Sequence, residues 1–346
     1  MFHIEIMFVL GCIAALVVVL SIVLMFLMIR RVLEQKNEEK MRGFMTNHSS
    51  EFFNYLMKGE PLSEEMIPTS VWKIRAIEEV FNRYLKSIHS EEMQSRITQF
   101  VELHMLSYYR RRLRSRKWSH RMNTLHYIHD FKIGALLEDV EKMLRSSKQY
   151  SKEEYFQMIK VLMVLSDSNA LKYLQEKQVE YTQLEYRKLL FEISEEKIAN
   201  LLPSFDQLSP ELQLSVIDVI GMRKLEPFLP FLEEKIKSDD REIRLAILKA
   251  MTHFSYIPNF QQYLYFVESD YWEERMLMAR LFVQVNRSEA EPFLRQLIQD
   301  PSWWVRSQAA RSLISLKNGS KLLESIISYS EDRYAIDMAR EVLRKV

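Results

Sequence analysis

A regular period in the C-terminal half of the chain restricts its fold more than any other feature. Arginine recurs at equal spacing as Arg244, Arg275 and Arg306. Three further series keep the same register: Met251, Phe282 and Leu313; Leu248, Ala279 and Ala310; Trp272 and Trp303. A unit of about 31 residues holds two short helices, which bury too little surface on their own. The period therefore predicts a stack of helical units in which each unit packs on its neighbours.

The glycine content agrees with an all-helical chain. There are only 6 Gly in 346 residues, whereas hairpins and phosphate-binding loops need residues that adopt a positive φ. Signals for helix starts are frequent instead: Ser151 with Glu154, Thr182 with Glu185, Asp270 with Glu273, Ser209 before Pro210, and Asp300 before Pro301. We therefore expect an all-α fold.

Residues 300–313 resemble the second helix of a HEAT repeat of the short, phycobilin-lyase-like type. Asp300 and Pro301 open this segment, Arg306 follows Val305, and small residues allow close helix packing at Ala310. The resemblance covers residues 204–343, and Arg121 and Arg187 are its landmarks further toward the N-terminus. It implies an α-solenoid of HEAT-like helical hairpins, in which the repeated arginines and the helix-opening aspartates link adjacent repeats.

The N-terminal segment has the character of a membrane span. Residues 6–29 contain no charged side chain, and as a helix they would measure about 36 Å, enough to cross a bilayer. Five basic residues follow the segment: Arg30, Arg31, Lys36, Lys40 and Arg42. This bias predicts a single-pass anchor in the cell membrane, bound to lipids through residues 6–29, with the C-terminal part in the cytoplasm. We expect the anchor at residues 1–29, a juxtamembrane helical linker region at residues 30–94 and the solenoid at residues 95–346.

A basic cluster follows within the first part of the expected solenoid. The 27 residues between Glu102 and Asp130 contain no carboxylate, although the formal net charge of the whole chain is only +1. The cations of this basic cluster are Arg110, Arg111, Arg112, Arg114, Arg116, Lys117 and Arg121. Such a cluster could bind anionic lipid, an acidic protein or nucleic acid, of which nucleic acid is the least favoured for a membrane-tethered chain. The alternative is a solvated loop between helices, whose charges are neutralised by nearby acidic residues.

Two adjacent tryptophans are candidate contact residues. Trp303 and Trp304 lie about 100° apart around a helix, so they cannot face the same direction. Packing accounts for at least one of them, and an exposed Trp would be a plausible anchor for a protein partner.

Enzymatic alternatives have little support in the sequence. The spacing of His126, His129 and Asp130 resembles the His-Asp pair of HD-type metal phosphohydrolases, with His104 or His120 as a further histidine and Asp139 or Asp167 as a downstream carboxylate. The chain has no P-loop, no dinucleotide fingerprint and no nucleophile elbow, and its single Cys, Cys12, lies in the span. We therefore expect no catalytic activity, no metal and no cofactor.

The favoured function is that of a membrane-anchored cytoplasmic scaffold that binds a partner protein through its repeat surface. A membrane-associated enzyme complex, such as a polysaccharide synthase or a transporter, is one class of partner. Two alternatives stay open. One is a helical metal-dependent phosphohydrolase-like enzyme built on His126, His129 and Asp130, and the other is a binder of anionic lipid or nucleic acid through the basic cluster at residues 110–121.

Overall fold

The described part of the protein is helical throughout. A computed structural model describes residues 2–165, 173–174 and 180–345, with side chains from residue 11 onward except those of residues 12 and 14. Cys12 and Asp167, both considered above, therefore lie outside the described side chains. No β-strand occurs in the described ranges, and the contacts divide the chain into two compact units, Met1–Leu165 and Ser166–Val346.

The helices of the first unit are α1 (Phe2–Asn47), α2 (Ser49–Phe53), α3 (Val71–Ser87), α4 (Glu91–His104), α5 (Leu106–Leu113), α6 (Trp118–Asp130), α7 (Leu137–Leu144) and α8 (Lys152–Leu165). The described helices of the second unit are α9 (Gln183–Leu190), α10 (Glu195–Ala199), α11 (Pro210–Met222), α12 (Leu229–Lys235), α13 (Arg241–Met251), α14 (Trp272–Leu281), α15 (Arg287–Leu297), α16 (Trp303–Ser315), α17 (Gly319–Tyr329) and α18 (Arg333–Leu343).

Helix α1 is one unbroken helix that includes both the uncharged segment and the polar residues after it. Its Ala15–Asn47 stretch is the one candidate in the described chain that is long and apolar enough to cross a membrane. The apolar side chains of Leu16, Leu20 and Phe26 are exposed, and no other described part of the chain covers them. A lipid environment would remove this apolar surface from water.

An aromatic core lies just beyond the polar end of α1. The ring of Phe81 packs edge-on against Phe52 at 6.2 Å, Phe100 at 5.4 Å and Phe131 at 6.1 Å between centroids. Residues from the expected linker region at 30–94 thus share a core with residues beyond position 95. The domain boundary that we place at residue 95 stays a prediction.

The second helices of successive repeats stack directly on one another. In the first unit α6 packs on α8, and in the second unit the order of packing is α9, α11, α13, α14, α16 and α18. Helices α13, α14 and α16 begin at the equal spacing of the arginine series, and the in-register residues Met251, Phe282 and Leu313 are completely buried. The predicted all-α, repeat-built fold is confirmed.

Three of the predicted helix starts are confirmed and two are wrong. The hydroxyls of Ser151, Thr182 and Ser209 accept backbone N–H bonds at the starts of their helices. Asp270 caps no helix, because α14 begins at Trp272 without a side-chain cap. Asp300 accepts the N–H of Ser302 at 2.7 Å, which delays the start of α16 to Trp303.

Lysine replaces glycine at two helix ends. Lys132 after α6 and Lys224 after α11 have φ values of 51° and 53°, in the left-handed region where glycine is usual. At each end the same bond closes the helix, from Ile133 N–H to the Ile128 carbonyl and from Leu225 N–H to the Ile220 carbonyl, both at 3.0 Å. The two units therefore use the same turn between the helices of a repeat.

Candidate functional site

Partly buried arginines connect each repeat to the next in the second unit. Arg244, the fourth residue of α13, donates its Nε–H to Glu274 at 2.9 Å and its Nη1–H to the carbonyls of Ser238 and Asp239. Arg275, the fourth residue of α14, donates to both carboxylate oxygens of Asp300, at 2.6 and 3.0 Å. These bonds confirm the expected link between adjacent repeats, and the bond to Asp300 raises the pKa of Arg275.

Arg306 continues this series, but no carboxylate among the described residues pairs with it. It is the fourth residue of α16 and donates its Nη1–H to the carbonyls of Asp300 and Pro301, at 2.7 and 2.9 Å. Its guanidinium lies 4.9 Å from the ring centre of Tyr334 in α18. We call Arg244, Arg275 and Arg306 the arginine ladder.

Arg121 has the same arrangement in the first unit. It is the fourth residue of α6, donates its Nε–H to Glu154 at 2.6 Å, and donates its Nη1–H to the carbonyls of Ser115 and Arg116 at 2.9 Å. Its side chain is 8% exposed. Arg121 is therefore enclosed among its partners, unlike the other members of the basic cluster.

The arginine ladder holds in place the loops that precede α13, α14 and α16. Aromatic side chains at the starts of the second helices face solvent. Five residues of three adjacent repeats form this feature, which we call the aromatic ridge: Tyr271, Trp272, Trp303, Trp304 and Tyr334. Their exposed fractions lie between 37% and 67%. Tyr334 follows Trp303 at the same spacing at which Trp303 follows Trp272. The ridge is thus a product of the repeat.

The rings of the aromatic ridge hold one another in place. Trp272 and Trp304 stack at 6.3 Å with an interplanar angle of 26°, and Trp303 meets Trp304 edge-on at 4.9 Å. Arg241 lies over Tyr271 at 4.4 Å. Both Trp303 and Trp304 are exposed, although the sequence led us to expect packing to account for one of them. Exposed, mutually ordered aromatic rings are a common form of protein contact surface, since they bury much area for little lost side-chain freedom.

The remaining members of the basic cluster are distributed over α5 and the loop after it. The carboxylate of Asp139 accepts hydrogen bonds from Arg110 at 3.0 Å and from Arg114 at 3.4 Å, so this single carboxylate neutralises two cations. The guanidinium of Arg112 donates to the hydroxyl of Tyr108 at 3.1 Å. The other three side chains are exposed: Arg111, Arg116 and Lys117. Anion binding by this cluster stays a prediction.

The metal-site alternative gains no support from the geometry. His129 and Asp130 share a hydrogen bond of 2.8 Å, and the neighbouring His126 is exposed on α6. The ring of His104 packs against Phe100 at 4.8 Å. Within the described chain, no group of three or more His, Cys, Asp and Glu side chains could hold a metal ion.

Two features of the site were not recognised from the sequence. The acidic partners Glu154 and Glu274 each occupy the third residue of the next second helix, a position that could have been found by aligning helix starts. Trp272 was noted as part of the repeat, but its exposure and its stacking on Trp304 depend on how the helices pack.

Comparison with family models agrees with this geometry. Residues 257–344 match the family model described as HEAT repeats. An engineered protein of known crystal structure is 15% identical, with a TM-score of 0.31 and coverage of 79% of this chain and 80% of its own. A designed armadillo repeat protein is 15% identical, with a TM-score of 0.20 and coverage of 73% and 98%. No match was found among curated proteins. The family match, the regular stacking of second helices and the arginine ladder together identify residues 257–344 as HEAT repeats of an α-solenoid.

Proposed function

We propose that this protein is a membrane-anchored scaffold that binds a partner protein through the aromatic ridge of its HEAT repeats. The observation that carries the proposal is the exposure of three tryptophans that contact one another across adjacent repeats. HEAT-like solenoids offer extended surfaces for protein binding, and large aromatic side chains dominate the binding energy of many interfaces. Catalysis is not part of the proposed function.

The proposed location follows from α1. Its uncharged segment spans the cell membrane, and the basic residues after it keep the repeats in the cytoplasm. A partner that is itself membrane-associated, such as an enzyme complex or a transporter, would meet the ridge at high local concentration because both are confined to one surface.

The first prediction concerns membrane insertion. The full chain should stay in the membrane fraction after alkaline carbonate washing, because residues 6–29 bury their apolar side chains in lipid. A C-terminal epitope should resist protease in intact cells and become sensitive only after lysis. Release by carbonate would contradict the anchor, and protease sensitivity in intact cells would contradict the cytoplasmic orientation.

The second prediction concerns the aromatic ridge. Crosslinking in native membranes followed by mass spectrometry should identify the partner, whose affinity can then be measured with purified proteins. Trp304→Ala should weaken binding by about tenfold or more, since Trp304 contacts both other tryptophans of the ridge.

Trp118→Ala provides the matched control for this measurement. Trp118 is also the first residue of its helix and is 50% exposed, but it belongs to the first unit. Its replacement should leave the affinity unchanged. An equal loss for both variants, or no loss for Trp304→Ala, would rule out the ridge as the binding surface.

A further inference from the structure

A cavity of about 600 Å³ lies between α1, α3, α5 and α6 in the first unit. This volume is within the range of small-molecule sites. Most of its wall comes from α3, where Arg75, Asn82 and Lys86 recur on one helical face. Arg112 on α5 contributes a further cation from the opposite side. The residues of the aromatic ridge do not line this cavity.

The charges that face the cavity are mainly positive. Arg75 and Lys86 are exposed and make no hydrogen bond or ion pair with another described residue. Arg83 is neutralised by Glu79 at 3.0 Å. Arg112 uses one of its five N–H donors on the Tyr108 hydroxyl, and its ring contact with Tyr108 holds it in place. The other donors of Arg112 can serve a ligand.

The one further carboxylate of the wall is buried and bonded by tyrosines. Glu78 is 4% exposed and accepts the Tyr109 hydroxyl at 2.9 Å. Burial raises the pKa of Glu78 to about 7, although hydrogen bonds from Tyr109 and Tyr127 and the nearby charges of Arg112 and Arg75 oppose this rise. Near neutral pH, this carboxyl therefore offsets only part of the positive charge.

We infer that this cavity binds the phosphate or diphosphate group of a small molecule, with Arg75 and Arg112 as the ligating cations. Guanidinium groups pair with phosphate oxygens in a bidentate manner, and an ammonium group adds a mobile charge. The charges of Arg75 and Arg112 both act on Glu78, so these two guanidinium groups face the same region of the cavity and match a ligand with a charge of about −2. Lys86 lies about 16.5 Å along α3 from Arg75 and adds positive charge at the other end of the wall. The amides of Asn82 and Asn123 lie in the same wall and offer hydrogen bonds to the rest of the molecule.

The phosphate could belong to a soluble compound or to a lipid headgroup. Met41 of α1 lines the cavity, 12 residues beyond the end of the uncharged segment at Ile29. This separation corresponds to about 18 Å along a helix, whereas the headgroup layer extends about 5 to 8 Å beyond the hydrocarbon core. At this height, the cavity is more accessible to a soluble ligand than to a lipid headgroup. Nanodiscs of different lipid composition separate the two sources.

The test uses pyrophosphate as the probe and the full chain in phosphatidylcholine nanodiscs, at about pH 8 and about 150 mM salt with chelator present. Calorimetric titration should detect binding by the unchanged protein. Arg75→Ala and Arg112→Ala should each weaken it about tenfold or more, through loss of a charge-assisted hydrogen bond. Glu78→Gln should strengthen it, since it removes a negative charge from the wall. A gain of this kind cannot come from unfolding.

Arg114→Ala is the matched control, because Arg114 lies two residues from Arg112 and does not line the cavity. It should leave the affinity unchanged. The proposal is overturned if the unchanged protein does not bind pyrophosphate at millimolar concentration, or if Arg114→Ala weakens binding as much as Arg112→Ala, which would mean diffuse attraction to the basic cluster.

Repeating the pyrophosphate titration in nanodiscs that contain about one third phosphatidylglycerol shows whether the phosphate belongs to a lipid or to a soluble compound. A lipid headgroup in the cavity would compete and lower the affinity for pyrophosphate, whereas a soluble ligand predicts no change. Simple repulsion by the bilayer is small at this salt concentration, because the Debye length of about 8 Å is shorter than the height of the cavity above the lipid. Either result supports a phosphate site, and each assigns it to one source.

Discussion

Replacing Arg275 with alanine is expected to destabilise the C-terminal repeats by about 3 to 5 kcal/mol. The carboxylate of Asp300 is 5% exposed and receives two hydrogen bonds from Arg275. Without Arg275, this charge stays buried and loses the cation that donates both of its charge-assisted side-chain hydrogen bonds. The loss should appear as faster amide exchange from α14 to α18 and as a lower melting temperature of the detergent-solubilised protein.

Two further variants test whether the loss of stability comes from the buried charge of Asp300. Arg340→Ala removes an arginine from the exposed pair with Asp337, and should cost less than about 1 kcal/mol. Asp300→Asn in the Arg275→Ala background should recover part of the loss, since a neutral amide needs no counter-charge. If Arg275→Ala costs no more than Arg340→Ala, the ladder is not a major source of stability. If exchange accelerates equally throughout the second unit, its repeats do not respond locally.

Substitution of Gly221 by alanine is expected to destabilise the second unit by about 1 to 3 kcal/mol, even though alanine favours helix formation by about 1 kcal/mol over glycine. A Cβ at this position of α11 would lie 2.6 Å from the Cα and 2.7 Å from the Cβ of Ala250 in α13. The clash is with backbone, which a rotamer change cannot relieve. The two helices must therefore move apart.

Gly43→Ala is the matched control because Gly43 also lies within a helix, α1, but a Cβ there would meet nothing within 4 Å. This change should stabilise the helix by about 0.5 to 1 kcal/mol through propensity alone. Chemical denaturation of both variants measures the difference. Stabilisation by Gly221→Ala would show that α11 and α13 separate at little cost and that their close approach is not required.

The buried faces of the repeats could be predicted because they depend only on spacing along one helix and on the regular period of the repeat. The start of α16 could not, since the Asp300 carboxylate binds Arg275 in the preceding second helix as well as the backbone of Ser302. Capping rules that use only neighbouring sequence positions account for the bond to Ser302 but not for the bond to Arg275. Likewise, nothing in the sequence near Trp304 indicates that Trp272 stacks on it from the preceding repeat.

Arg121 illustrates the same limit for the candidate site. Its neighbours in sequence are basic, so local composition assigns it to the basic cluster. Its carboxylate partner, Glu154, lies 33 residues further along the chain, and this distant residue decides its role. The cavity depends even more on tertiary structure, because Arg75 and Arg112 line the same cavity only when α3 lies beside α5 and α6.

Helix α1 continues without a break from the proposed membrane span into the aromatic core, where Phe44 packs edge-on against Trp72 at 5.8 Å. From Ile29 to Phe44 the helix rises about 22 Å. Such a rod resists bending far more than a Gly/Ser-rich tether, which would behave as a random coil. If α1 is anchored in a bilayer as proposed, the first unit would therefore not swivel freely above it. Torque or tilt imposed on the membrane segment would reach this unit directly, so lipid thickness and lateral contacts of α1 would act as mechanical inputs to the rest of the protein.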